Sequence, residues 1–203
     1  MANCCFTDIN IYFSSVEKAK KFQDQLLNWT SYVWNQEISK DMFWYGNILG
    51  NSGLCDYVKN KGFVRNGLTV KTRGTVNHIE RTDNILQIYT ETAWQPMLEM
   101  WSILVDKFDP KAQIEYSGEE SGCGLFVTNM SDLLGRYYID VYDFPEDMEA
   151  ESVFDATKEY TIKFLQLVLK TDCEDIEELL KQSEAEDWFS IHKWEYSPIE
   201  EWF

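Results

Sequence analysis

The side chains able to do chemistry in this 203-residue chain are five cysteines, two histidines and 35 acidic residues, and their spacing limits what each set can do. Cys4 and Cys5 are adjacent, while Cys55, Cys123 and Cys173 stand far apart. An odd count without C-x-x-C offers neither a disulfide framework nor a zinc site. The histidines are His78 and His192, and neither is near a cysteine in sequence. A nucleophilic thiol needs such a base within hydrogen-bond reach, so only folding could assemble the pair. The motifs G-x-S-x-G, G-x-x-x-x-G-K-[ST] and H-E-x-x-H are missing. Carboxylates are so abundant that no catalytic pair stands out. The expectation is a non-enzymatic protein with no catalytic residue, metal or cofactor, whose thiols are buried, reduced and structural.

The carboxylates matter more as a field. The net charge is −17, and it is unevenly placed. Residues 1–80 hold nine Lys/Arg and seven Asp/Glu, whereas residues 81–203 hold nine and 28. Such a field repels nucleic acid and anionic lipid and favours a partner with a basic surface, although solubility alone also explains it. A helix expected from about Asp172 presents Glu174, Asp175, Glu177, Glu178 and Glu184 as candidate partner-binding residues, held down by Ile176, Leu179 and Leu180. Helical neighbours three or four residues apart lie about 5–6 Å from each other, a spacing roughly comparable with phosphates along a strand. The row is a candidate nucleic-acid mimic, and a solvated helix face is the plain alternative. Glu119 and Glu120, beside Gly122 and Gly124, form a possible loop site or an ordinary hairpin turn. In the near-neutral half, Lys18, Lys20, Lys21, Lys59, Lys61, Arg65, Lys71 and Arg73 offer phosphate contacts. No aromatic–glycine run of the kind that stacks RNA bases accompanies them, so direct nucleic-acid binding is disfavoured.

These residues must be positioned by regular elements. Residues 5–13 alternate apolar and polar and predict a strand. Ser14 with Glu17 suggests a capping box before a helix carrying Val16, Ala19, Phe22 and Leu26. Residues 30–67 show no sustained period and read as an insertion of loops and short elements. Two strands, 68–76 and 84–90, flank a polar turn at Thr82-Asp83-Asn84. Trp94 reads as a buried residue ending the second of them. Pro96 suits the first turn of a helix with Leu98, Trp101, Leu104, Val105 and Phe108 on one face. Residues 113–116 restart a strand.

Without the insertion, the order is strand, helix, strand, strand, helix, strand. That order predicts an α+β fold with a ferredoxin-like split βαβ antiparallel sheet and both helices on one face. Residues 125–128 and 136–142 are expected to extend the sheet as a hairpin. The first domain is expected to span 1–145, and residues 146–203 to form an acidic helical extension packed on it, with a helix from Ser152 or Asp155 and another from Asp172.

Met1-Ala2-Asn3-Cys4-Cys5 resembles the Met-x-Asn-Trp-Cys opening of phage and plasmid proteins with a YubB-type ferredoxin-like domain, with Cys4 where tryptophan is usual. Thr92-Ala93-Trp94-Gln95-Pro96, a helix, and Tyr116-Ser117-Gly118-Glu119-Glu120-Ser121-Gly122 are similar to that family's Thr-Ala-Trp-x-Pro, helix, Tyr-x-Glu-x-Gly pattern. The resemblance covers about 1–30 and 85–145. It implies a ferredoxin-like domain and a mobile-element setting, and no catalytic residues. No run is long enough to span a bilayer, and residues 1–8 lack a secretory pattern, so no membrane contact and a location in the host cytoplasm are expected. The expected function is inhibition of a host nucleic-acid-handling defence factor, of the anti-CRISPR or anti-restriction type, through an acidic surface. A structural or housekeeping phage protein, a single-stranded nucleic-acid binder and an uncommon enzyme are the alternatives.

Overall fold

Cys5, Thr7, Ile9 and Ile11 are buried, while Phe6 and Asp8 between them are exposed, and this alternation builds strand β1 (Cys4–Tyr12). The structure is a computed structural model that describes residues 4–142 and 151–203. The chain divides into two compact units: Met1–Leu125 with Ser197–Phe203, and Phe126–Tyr196.

In the first unit, β1 is followed by helix α1 (Val16–Trp29), which buries Ala19, Phe22, Leu26 and Trp29. Its cap is Ser15, whose hydroxyl accepts the Lys18 N–H, one residue beyond the expected Ser14. The inserted region holds helix α2 (Tyr45–Ser52) and a small antiparallel sheet of β2 (Asp56–Val58), β3 (Gly62–Arg65) and β4 (Leu68–Thr69). The strand expected over 68–76 is therefore split. Leu68 and Thr69 pair back onto Arg65 and Val64, and a new strand, β5 (Gly74–Thr82), starts after them. It turns at Asp83, which takes φ 53°, into β6 (Ile85–Ala93). Helix α3 (Glu99–Phe108) begins three residues after Pro96, and β7 (Gln113–Glu120) follows.

Strands β7, β1, β6 and β5 lie side by side in that order, and every pairing among them is antiparallel. Registers such as Ile9 opposite both Ile88 and Tyr116 put the buried residues of three strands on one face. Helix α1 packs against β5 and β6 and also meets α3. Phe22 meets Phe13 and Phe108 at 5.2 and 5.3 Å between ring centres, which joins β1's end, α1 and α3. Trp101 of α3 donates its indole N–H to the buried Tyr45 hydroxyl of α2 at 3.1 Å. Asp109, just after α3, has no accessible surface and meets the Lys18 ammonium at 2.7 Å while accepting the Ser14 N–H. Burial opposes its charge, yet Lys18 and Ser14 outweigh that cost and hold the carboxyl well below the usual range. The chain's last residues also belong to this unit. The Tyr116 hydroxyl donates to the Ser197 carbonyl at 2.9 Å and receives the Trp202 indole N–H.

The second unit holds β8 (Leu125–Thr128), β9 (Tyr137–Val141), β10 (Val153–Ala156), α4 (Lys158–Leu169), α5 (Ile176–Ser183), β11 (Phe189–Lys193) and β12 (Glu195–Tyr196). The expected hairpin of 125–128 with 136–142 does not form. Strand β9 pairs instead with β10 and β11, and β8 runs parallel to β12. Tyr137, Ile139, Leu165, Ile176, Leu179 and Phe189 share a core that brings both helices onto the β10–β9–β11 sheet. The tail is thus not a helical extension alone: it carries strands and a core of its own. The compact units meet in sequence at 125/126 and 196/197 rather than at 145. The protein is α+β, and no helix among the described residues is long and apolar enough to cross a membrane.

Candidate functional site

Along β6 the even-numbered residues Leu86, Ile88, Thr90 and Thr92 are buried. Continuing that alternation would bury Trp94, as expected from sequence. The structure corrects this: Trp94 has φ 74° and is 51% exposed. That left-handed region is an outlier for a bulky residue, and holding one there costs about 1–3 kcal/mol. Its neighbours hold it in place. The Thr92 hydroxyl donates to the Gln95 carbonyl at 2.7 Å, and Pro96 packs so closely on Gly118 of β7 that an added Cβ would lie 2.5 Å from its ring. The Ala93 N–H donates to the Arg73 carbonyl at 2.9 Å, which draws the β4–β5 connection beside Trp94.

Between these segments lies a cavity of about 510 Å³ bordered by Lys61, Lys71, Arg73, Trp94, Val70 and Met97, with no Asp or Glu in its lining. A second space of about 360 Å³, bordered by Cys4, Trp44 and Glu91, shares Arg73 and Ala93 with it. Glu99, at the start of α3, lies within electrostatic reach of Lys71. Burial pushes the Glu99 pKa up, while a hydrogen bond from the Lys71 backbone and the charges of Lys71 and Arg65 oppose the shift. Its Oε2 is buried with no hydrogen-bond partner among the described residues.

In the second unit, α5 carries the acidic row. Ile176 and Leu179 are buried, whereas Glu174, Glu177, Glu178 and Glu184 are exposed. The helix starts later than the expected Asp172 because Asp175 is the cap: its Oδ1 accepts the N–H groups of Glu177 and Glu178 at 2.9 and 3.2 Å. Asp175 therefore holds the helix end; Glu177 and Glu178 are exposed in its first turn, Glu174 is exposed just before the cap and Glu184 is exposed at the C-cap. Glu178 is partly engaged by Gln182, whose amide lies 3.2 Å from its Oε1. The ion pairs found among the described residues are Lys18–Asp109 and Lys20–Asp24, and the His78 ring lies 3.6 Å from Glu80; none of these is on α5.

The remaining candidates are placed differently. Glu119 and Glu120 end strand β7 instead of sitting in a loop. Glu120 is buried and accepts the Cys123 N–H, closing a short turn. Of the cysteines, only Cys5 is fully buried, and burial pushes its thiol up to about 11; Cys123 is exposed, and Cys4, Cys55 and Cys173 are half-buried. The expectation of uniformly buried thiols is corrected, because Cys123 lies in the turn after β7. His192 stacks on Phe126 at 4.0 Å between ring centres, its Nε2 is 3.0 Å from the Ser190 hydroxyl, and burial lowers its pKa against the pull of Asp140. No cluster of three or more His, Cys, Asp or Glu able to hold a metal occurs among the described residues.

No protein-family model, curated protein or solved structure matches this chain. The cavity is the feature that sequence reasoning missed. Lys61, Lys71 and Arg73 were visible only as members of a dispersed basic set, and Trp94 only as core. Their convergence depends on a positive φ and on the split of β4 from β5, which residue periodicity does not encode.

Proposed function

We propose that this is a non-enzymatic mobile-element protein that binds and blocks a host protein with a basic surface, acting in the cytoplasm. A nucleic-acid-handling defence factor, of the kind that anti-CRISPR or anti-restriction proteins inhibit, is the partner class. The carrying observation is α5 and its ends: its apolar stripe is used up in the core, and Glu177 and Glu178 on the helix, with Glu174 and Glu184 flanking it, are exposed with no ion pair among the described residues. Exposed carboxylates on and beside the helix, which outnumber its one lysine, Lys181, speed encounter with a basic groove and compete with phosphate for it. The second unit as a whole holds 18 Asp/Glu against six Lys/Arg, so the same sign extends beyond the helix.

The first unit's four-stranded sheet belongs to the same reading. We take it as a ferredoxin-like split βαβ domain of the YubB type. The antiparallel order β7–β1–β6–β5, with α1 and α3 contacting one another, supports the arrangement. The motif resemblance around Cys4-Cys5 and Thr92–Pro96 supports the mobile-element setting.

The test is capture from host extract by the whole protein, beside a variant with Glu174, Glu177, Glu178 and Glu184 changed to Gln. The expected result is a basic partner held by the parent, released by salt and poorly held by the variant. The captured partner should lose nucleic-acid binding when the parent protein is added. Equal capture by both proteins, or a partner that still binds nucleic acid, overturns the proposal.

A further inference from the structure

The cavity beside Trp94 is chemically unlike the rest of the molecule. In a chain with 35 acidic and 18 basic side chains, its lining contains Lys61, Lys71 and Arg73 and no carboxylate. Three basic residues border one concavity, Lys71 being partly countered by Glu99 outside the lining, and Arg73 carries a planar guanidinium of the kind that pairs with two phosphate oxygens at once. The rest of the border is apolar or aromatic: Val70, Met97 and the exposed Trp94. A bare inorganic anion would leave that surface unused. A zwitterion such as an amino acid would bring an ammonium group, and the lining offers it no carboxylate. What suits both halves is a ligand with a planar aromatic part and a phosphate. The volume, about 510 Å³, lies within the roughly 300–1,000 Å³ of small-molecule sites.

Trp94 adds an independent observation. It is held at φ 74° with its ring half outside, where burial does not repay the strain. Strain of this kind collects at ligand clamps, and a tryptophan face is a stacking platform for any base.

We propose that this cavity binds a nucleoside phosphate, with the base against Trp94 and the phosphate on Lys61, Lys71 and Arg73. The ligand is a free mononucleotide or a nucleotide at the end of a single strand, which share this chemistry. The site does not depend on the acidic helix, and neither reading falls with the other.

Calorimetric titration of the whole protein tests it with AMP, UMP, adenosine, inorganic phosphate and a short oligothymidylate at moderate salt. AMP or UMP should bind at least about tenfold more tightly than adenosine or phosphate alone, since each of those lacks one half of the recognition. Trp94→Ala and Arg73→Gln should each weaken the nucleotide by about tenfold, the first without changing the affinity for phosphate. Lys61, Arg73 and Trp94 are exposed, so these substitutions leave the core intact, and Trp94→Phe should keep part of the stacking. Oligothymidylate binding more tightly than UMP assigns the strand end; equal or weaker binding assigns the free nucleotide. No binding of either mononucleotide, affinity no better than phosphate, or affinities indifferent to Trp94→Ala and Arg73→Gln overturns the proposal.

Discussion

In the first unit, Lys61, Lys71 and Arg73 border a concavity whose lining has no acid; in the second, Glu174, Glu177, Glu178 and Glu184 stand outward around one short helix. The counts alone hide the contrast, because the first unit is itself net acidic, with 17 Asp/Glu against 12 Lys/Arg. Shape makes the difference. Inside a concavity, water is partly excluded and a few like charges focus on one point, so three cations suffice to select an anion. On an exposed helix, each carboxylate is screened within roughly 8–10 Å at ordinary salt, so many are needed and their main effect is on the rate of encounter. Net charge predicts the second kind of surface and is blind to the first.

The largest effects should come from the cores that hold each surface in place. Trp101→Ala removes a ring with no exposed surface beneath the first unit's sheet, and should cost about 3–5 kcal/mol. Leu179→Ala under α5 should cost about 2–5 kcal/mol. Urea unfolding gives the totals, and hydrogen exchange gives the location. Protection should fall in β1 and β6 for the first variant and in β9 and β11 for the second. Uniform loss in both would mean one cooperative core instead of two.

Asp109→Asn comes next, at about 1.5–3 kcal/mol, the range for losing a hydrogen bond to a charged group. Its folded pKa lies below the ordinary value, so its stabilisation is complete above about pH 4 and is lost as pH falls through the folded value. The stability gap between parent and Asn variant should therefore be constant near neutrality and narrow in acid. A gap that widens as pH falls would contradict the Lys18 pairing.

The acidic face should show itself in rates. Changing Glu174, Glu177, Glu178 and Glu184 to Gln should slow association with a basic partner by about tenfold or more at low salt and flatten its salt dependence. Stopped-flow or surface capture measures both. Asp175→Ala acts on stability instead, at about 1 kcal/mol, because it uncaps α5. If Asp175→Ala slowed association as much as the four glutamines, the division between cap and contact face would fail.

Much of this architecture was legible beforehand, and the exceptions share a cause. The parity of β1, the stripes of α1 and α3 and the turn at Asp83 are local periodicities readable from residue order, except that Val16, expected on the α1 stripe, is exposed. What was not readable is partner choice at long range. Leu68 and Thr69 have strand character, but whether they join β3 or run on into β5 depends on a partner the local pattern does not name. Tyr137–Val141 was visible as a strand, yet its partners, Val153–Ala156 and Phe189–Lys193, lie well away from the 125–128 segment beside it in sequence. The start of α5 was misplaced because Asp172 and Asp175 are both cap residues, and only the geometry selects between them. The acidic row was legible because it is compositional. The cavity was not, because it depends on one tryptophan turning outward.

That tryptophan gives the smallest and sharpest test. If Trp94 is kept in the left-handed region for a ligand and not for packing, a residue that accepts that region should fold at least as well. Asparagine does so, with a short side chain that bonds locally. Trp94→Asn should relieve part of a cost of about 1–3 kcal/mol while giving up the contacts of a ring already half in water. The two terms nearly cancel, so the expected change is between no effect and a gain of about 1 kcal/mol, read as an unchanged or slightly raised Tm. Nucleotide affinity should fall by about tenfold in the same variant, because asparagine offers no stacking face. Stability kept while binding is lost would separate the residue's two costs and assign its strain to recognition. A loss of more than about 1 kcal/mol would mean that the ring's packing holds the turn, and the acid-free cavity would then be a consequence of the fold with no ligand behind it.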